Sequence, residues 1–234
     1  MSAPAASTGR RLVVFDFDHT LYDGDSGAHL VSWLIKRSGW RKLLALVASP
    51  VLLPMVAWLP TRRRGISGFL WIGTVAARRD IDTLIDAYVC ANAASIRARL
   101  LVPALAVLHR HREAGDEVVI ATGAPPELAR AILDFVAHED LPVIGSLGER
   151  FLGGYVTAQH CHAENKMRML RAHGHGDIDI AYSDSCADLP LLKAARNPVV
   201  VNPKPGRVGY FRKVLPPGTP ILNWGCGSRA GDSA

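Results

Sequence analysis

Short apolar runs rich in β-branched residues recur along the chain and stop on polar groups. Leu12-Val13-Val14-Phe15 runs into Asp16, Val118-Val119-Ile120-Ala121 into Thr122, and Ile178-Asp179-Ile180-Ala181-Tyr182 into Ser183-Asp184. Runs of this length, bounded by turn residues, predict buried strands. Pro142-Val143-Ile144 and Pro198-Val199-Val200-Val201-Asn202 predict two more, and Gly148 to Thr157 predicts a small hairpin turning at Gly153-Gly154. Helical spacing appears between them. It covers Ala28–Lys36 (Leu30, Val31, Leu34, Ile35), much of 66–101 with an amphipathic Asp82–Val89, Pro103–Ala114, Glu127–Ala137, Asn165–Ala172 and Leu189–Ala195. Strands alternating with helices predict an α/β fold with a mostly parallel sheet. The helical block 28–101 interrupts the alternation and reads as an inserted cap. The core is then 11–27 and 102–215, after an unstructured start over 1–10. A Pro-, Gly- and Ser-rich tail over 216–234 is expected to be loosely held.

One stretch departs from both periods. Leu43 to Pro60 carries no charge and lies between the basic clusters Lys36/Arg37/Arg41/Lys42 and Arg62/Arg63/Arg64, with Trp40 and Trp58 near its ends. Its length is at the lower edge of the roughly 20 residues that cross a bilayer. Pro50 and Pro54 are expected to kink or break a helix there. A soluble helix pair and membrane contact are both open readings.

Composition narrows the class. At 234 residues, 49% hydrophobic and 21% charged, the chain is globular rather than disordered. A net charge of +6 suits an anionic surface or substrate. Cys90, Cys161, Cys186 and Cys226 show no CxxC spacing, so free thiols in a reducing compartment are expected. Met1 to Gly9 has no apolar signal region, which predicts a cytoplasmic protein. His160/His162, His109/His111 and His173/His175 lack the spacing of a zinc site, and no nucleic-acid partner is expected.

In a parallel sheet the polar strand ends meet at one rim. Asp16, Asp18, Thr122, Asp184 and Asp188 gather there, with Lys166 opening a helix between them. Carboxylates beside a cation and a hydroxyl match the needs of phosphoryl transfer, with Mg²⁺ held by oxygen ligands. Asp16-Phe17-Asp18-His19-Thr20, Thr122, Lys166 and Ser183-Asp184-Ser185-Cys186-Ala187-Asp188, in that order, resemble the four motifs of the haloacid dehalogenase-like (HAD) phosphatases.

The resemblance implies a Rossmann-like HAD core with an inserted helical, C1-type cap. It implies Asp16 as nucleophile forming an aspartyl-phosphate, Asp18 as general acid and base, and Thr122 and following amides such as Gly123 on phosphate oxygens. Lys166 neutralises charge, and Mg²⁺ is held by Asp16, the Asp18 carbonyl and Asp184 with Asp188 in support. Thr20 and Asp25 are added as candidate substrate contacts. Asp18 favours ester hydrolysis over dehalogenation, since an alkoxide leaves poorly without a proton.

Phosphoserine phosphatases share the plan but carry Glu where Asp25 stands, and Ser-Gly-Gly where this chain has Thr122-Gly123-Ala124. The apolar run, Phe69-Leu70-Trp71-Ile72-Gly73-Thr74 and Asp188-Leu189-Pro190-Leu191-Leu192 resemble the bacterial C-type phosphatidylglycerophosphate phosphatases. That likeness implies a lipid phosphate substrate on the inner face of the cytoplasmic membrane. The alternatives are a soluble phosphomonoester such as phosphoserine or histidinol phosphate, and a non-catalytic membrane-docking protein. Because Asp16 precedes the run and its partners follow it, the run must enter and leave on one face, as a broken helical hairpin or an interfacial helix.

Overall fold

A computed structural model describes residues 10–58, 60–77 and 79–227. The expected unstructured start therefore lies outside it except for Arg10, as do residues 228–234. Leu12–Phe15 forms β1, the third strand of a sheet ordered β3-β2-β1-β6-β7-β8, in which every neighbouring pair is parallel. After β1 come α1 (Ser26–Lys36), α2 (Gly39–Ala57), α3 (Arg62–Thr74), α4 (Ile81–Arg99) and α5 (Val102–Glu113). Then follow β2 (Glu117–Ala121), α6 (Pro126–Ala137), β3 (Val143–Ile144), β4 (Leu147–Phe151), β5 (Gly154–Gln159) and α7 (Glu164–Ala172). The chain continues through β6 (Ile180–Ser183), α8 (Leu189–Ala194), β7 (Asn197–Val201), α9 (Val208–Val214) and β8 (Ile221–Leu222).

Both faces of the sheet are covered, which is why its strands are apolar throughout. Val13 and Phe15 pack into a cluster with Leu30, Ile85, Leu108 and Leu128, whereas Leu12 and Val14 point the other way, toward Leu170, Leu191 and Phe211. The pleat alone sorts these residues. Helices α1 and α4 thus share one apolar cluster with the sheet.

Helix α2 behaves differently: none of its residues is buried. It runs unbroken through Pro50 and Pro54, against the expected break, and the chain turns only after Ala57. An exposed helix can satisfy with water the carbonyls that a proline leaves unpaired. Its last carbonyls are capped from beyond the turn: Thr61 Oγ1 donates to Met55 O (2.9 Å) and Arg62 Nε to Val56 O (3.0 Å). Helix α3 folds back closely on α2 because two glycines face it. A Cβ on Gly65 would stand 2.8 Å from the Val56 amide nitrogen, and one on Gly68 2.7 Å from Leu52 Cδ2.

Strands β4 and β5 form the expected hairpin, turning at Leu152-Gly153 with Gly153 at φ +77. It belongs with the helices rather than with the 102–215 core into which the sequence places it. The free edge of β5 is paired by side chains of α3: the Tyr155 amide donates to Thr74 Oγ1 (2.8 Å) and the Thr157 amide to Ser67 Oγ (3.1 Å). Arg63 and Trp71 donate to the Ala158 and Phe151 carbonyls. This covers an edge that would otherwise be open to pairing.

The segment after Leu215, expected to be loose, is instead part of the sheet as far as it is described. Ile221–Leu222 pairs with β7, Trp224 and Cys226 are buried, and the Trp224 ring lies 5.7 Å from that of Tyr182. Asn202 fastens this segment to the turn after β1. Its Nδ2 donates to the His19 carbonyl (2.8 Å) and its Oδ1 accepts from the Trp224 amide (2.6 Å). Asn202→Ala leaves both groups short of a partner. A loss of about 1–3 kcal/mol in urea unfolding is expected, and an unchanged midpoint would show that the bridge carries no weight.

Candidate active site

Strand β1 stops at Phe15, although the Asp16 amide still donates to the Tyr182 carbonyl of β6 (2.9 Å). Asp18 therefore lies beyond the strand, in the turn that follows it. The chain instead winds tightly after Asp16: the amides of Thr20, Leu21 and Tyr22 all reach the Phe17 carbonyl, at 3.2, 2.8 and 3.0 Å. His19 takes φ +59 in this turn, a left-handed conformation that His adopts more readily than most residues. The turn delivers Asp18 to the start of α1, where its Oδ1 accepts from the Ser26 amide (2.8 Å).

Lys166, in the first turn of α7, is the hub. Its Nζ lies 2.8 Å from Asp16 Oδ1 and 2.6 Å from Asp188 Oδ2, and all three side chains are buried. Ser183 Oγ donates to the same Asp188 oxygen (2.8 Å). That oxygen is thus committed to Lys166 and Ser183, and Asp188 orients the ammonium. Asp184, 4% exposed, follows directly at the end of β6, beside the end of β1.

Burial is the largest influence on Lys166, Asp16 and Asp18. It opposes the Lys166 ammonium, but the Asp16 and Asp188 carboxylates outweigh it and push that pKa up. Burial also pushes the Asp16 carboxyl up, to about 6, with Lys166 pulling down and Asp188 pushing up. Asp18 keeps some surface but is densely surrounded. Burial, with the nearby Asp25 adding to it against the Ser26 hydrogen bonds, raises its carboxyl well above the usual range. Both carboxyls are thus held above their ordinary range, each chiefly by burial.

Thr122 ends β2, and its Oγ1 accepts from the Ala124 amide (3.0 Å), shaping the loop into α6. Gly123 keeps partial exposure and gives its carbonyl to Ser146 Oγ (2.6 Å). Asp25 is the N-cap of α1, with Oδ1 accepting from the Ala28 amide (2.8 Å), so one oxygen is already committed. Thr20 is fully enclosed, and its hydroxyl has no hydrogen-bond partner among the described residues. In this conformation Thr20 has no surface from which to touch a substrate, so its place as a substrate contact is corrected.

Several members of the site were not singled out from sequence. Ser183 and Asn202 both lie at the carboxyl end of a parallel strand, the same signal that exposes Asp16 and Thr122. Cys161 and Ser146 carry no such mark: the Cys161 amide donates to Ser146 Oγ (2.9 Å) beside the Thr122 loop. Burial pushes the Cys161 thiol up to about 11, so it is an inert filler rather than a nucleophile. His160 and His162 stack with ring centroids 5.2 Å apart. Burial first, then His162, Lys166, Arg62 and Arg63, push the His160 imidazole down to about 4. A Cβ on Gly123 would stand 3.7 Å from His160 Nε2, and Arg63 of α3 donates to the Ala158 carbonyl two residues before that histidine, so the start of α3 lies near the Thr122 loop.

Solved structures share this architecture. A protein of unknown function from Bordetella pertussis Tohama I is 24% identical, with a TM-score of 0.71 over 93% of this chain and 100% of that one. A phosphoserine phosphohydrolase-like protein from Francisella tularensis is 13% identical, with a TM-score of 0.60 over 96% and 100%. A phospho-aspartyl intermediate analogue of phosphoserine phosphatase is 15% identical, with a TM-score of 0.54 over 92% and 93%. At these identities the likeness is one of fold. The sequence itself matches a family model over residues 13–193, and the chain belongs to the haloacid dehalogenase-like hydrolases.

Proposed function

We propose that this hydrolase is a Mg²⁺-dependent phosphomonoesterase working through an aspartyl-phosphate, and that its substrate is an anionic lipid phosphate at a membrane surface. The observation that carries the chemistry is the buried Lys166 clamped between Asp16 and Asp188. An ammonium held 2.8 Å from a buried carboxylate neutralises charge on that carboxylate and on an anion approaching it.

Asp16 attacks phosphorus, and the bond from phosphorus to the leaving oxygen breaks. Asp18, whose carboxyl burial raises, gives its proton to the departing alkoxide. The same carboxylate then takes a proton from the water that attacks the aspartyl-phosphate, releasing phosphate and restoring Asp16. The Thr122–Ala124 loop holds a phosphate oxygen through the Gly123 amide, since the Thr122 amide donates to the Ile144 carbonyl and the Ala124 amide to Thr122 Oγ1. Asp16 and Asp184 are carboxylates on neighbouring strand ends, an all-oxygen donor set that fits Mg²⁺. When bound, the ion supplies neutralisation of the phosphoryl charge.

Helix α2 supports the lipid reading. It is long and apolar enough to cross a membrane, with none of that window buried. Leu46, Val47 and Trp58 stand about two-thirds exposed, at 70%, 69% and 67%. The sequence around α2 carries basic clusters on both sides, and the second of them, Arg62 to Arg64, opens α3 near His160. A complete crossing would part Asp16 from Lys166, so α2 lies in the interface and returns through α3. A phosphate headgroup then meets the arginines beside the site while its chains stay along α2. Asp25 spends one oxygen capping α1 and is one methylene shorter than the glutamate that phosphoserine phosphatases carry there.

Four outcomes test this reading. Asp16→Asn abolishes turnover and any burst of product. Asp18→Asn lowers kcat on an alkyl phosphate by about 10²–10⁴ while still giving a single-turnover burst with an activated aryl phosphate. A burst from Asp16→Asn would remove the nucleophile. Lys166→Met strands two buried carboxylates and costs about 3–5 kcal/mol in urea unfolding near neutral pH. The loss shrinks in acid, where the carboxyls take up protons, and a loss independent of pH would contradict the charge argument. In sedimentation with anionic phospholipid vesicles, Leu46→Glu/Val47→Glu releases the protein and slows lipid phosphate hydrolysis more than that of a soluble aryl phosphate. Equal effects on both substrates would remove the lipid from the proposal.

A further inference from the structure

The turn that carries Asp18 also carries a second set of donor atoms, unrelated to phosphoryl chemistry. His19 and Asp23 lie in that turn, and Cys226 reaches it from the segment after β8. One donor atom from each lies within 4.8 Å of the other two. Cys226 Sγ is 3.0 Å from Asp23 Oδ1 and 3.9 Å from His19 Nδ1. Around a tetrahedral zinc ion, with bonds of about 2.0–2.3 Å, such donors stand roughly 3.3–3.7 Å apart. The separations from Cys226 straddle that spacing.

The frame holding these atoms is fixed independently of any ion. Asp23 Oδ2 accepts from the Gly227 amide (2.9 Å), and the Asp23 amide donates to the Arg99 carbonyl (2.7 Å). The His19 carbonyl is held by Asn202, which also holds the Trp224 amide two residues before Cys226. Cys226 itself is only 5% exposed. A ligating carboxylate that is itself hydrogen-bonded is oriented in advance. One nitrogen, one oxygen and one sulfur donor suit a borderline-soft cation, whereas Mg²⁺ selects oxygen. The two sets of ligands therefore choose different metals.

We propose that His19 Nδ1, the Asp23 carboxylate and Cys226 Sγ bind a Zn²⁺ ion with water in the fourth position, fastening the segment after β8 to the catalytic turn. Binding converts the Cys226 thiol to a thiolate and releases its proton to solvent. No local spacing announces this site, because its ligands come from opposite ends of the described chain.

The test uses the full chain, stripped with chelator and titrated with Co²⁺ in excess Mg²⁺, Co²⁺ standing in for zinc spectroscopically. A thiolate-to-cobalt charge-transfer band in the near ultraviolet is expected, saturating at about one ion per chain and bleached by Zn²⁺. Cys226→Ser abolishes the band, and Cys90→Ser and Cys186→Ser keep it. Absence of the band from the wild type, or its survival in Cys226→Ser, overturns the proposal. Should Cys226→Ser prove unstable without metal, Asp23→Asn decides the matter. That variant keeps the thiol and should weaken Zn²⁺ binding by at least about tenfold, and an unchanged affinity overturns the proposal equally.

Discussion

A buried ammonium must be paid for in carboxylates, and the way Lys166 is compensated dictates much of the molecule. Its contacts at 2.8 and 2.6 Å come from Asp16 and Asp188, which lie far from it and from each other in sequence. Bringing those two carboxylates to one point without the cation would cost several kcal/mol, and burying the cation without them would cost as much. The ends of β1 and β6, as neighbours in the sheet, and the first turn of α7 therefore have to meet as a set. Ser183 completes the arrangement by occupying the Asp188 oxygen that faces the ammonium. The groups that hold these three segments together are the groups proposed to do the chemistry, so folding and reactivity draw on the same electrostatics.

Much of this was legible because parallel strands announce themselves twice, as apolar runs and by the polar residues that stop them. Asp16, Thr122 and Asp184 stand out on that rule, and the fold class follows from the same runs. What the sequence concealed depends on tertiary pairing. The segment after Leu215 reads as loose from its Pro and Gly content, yet two backbone-paired residues and one buried Trp224 order it. Pro50 and Pro54 read as breaks, yet an exposed helix passes through both, since water can meet the carbonyls they leave. The bridge made by Asn202 reaches 183 residues back to His19, and no local pattern reports such a distance.

The contrast between α1 and α2 shows how one helical block serves two environments. Helix α1 buries Leu30 and Leu34 against the sheet, whereas α2 presents its apolar side chains to the surroundings. What α2 has as a protein neighbour is chiefly α3, approached through Gly65 and Gly68. An apolar helix anchored by close backbone packing on one side has the other side available to something that is not this chain. Its carboxyl end leads, through Thr61 and Arg62, toward the same residues that bias His160.

The docking of the β4–β5 hairpin onto α3 has a mechanical corollary. Helices α1–α4 leave the sheet after β1 and return at α5, and the hairpin leaves after β3 and returns at α7. Since Thr74 and Ser67 of α3 accept from two β5 amides, the hairpin would travel with α3 if that layer shifted. Each excursion has two stems, so four covalent tethers join the outer layer to the sheet instead of two. A layer on four stems is more constrained than a lid on two. The substrate proposed above would suit such a layer, its phosphate end entering at the rim while its chains stay outside.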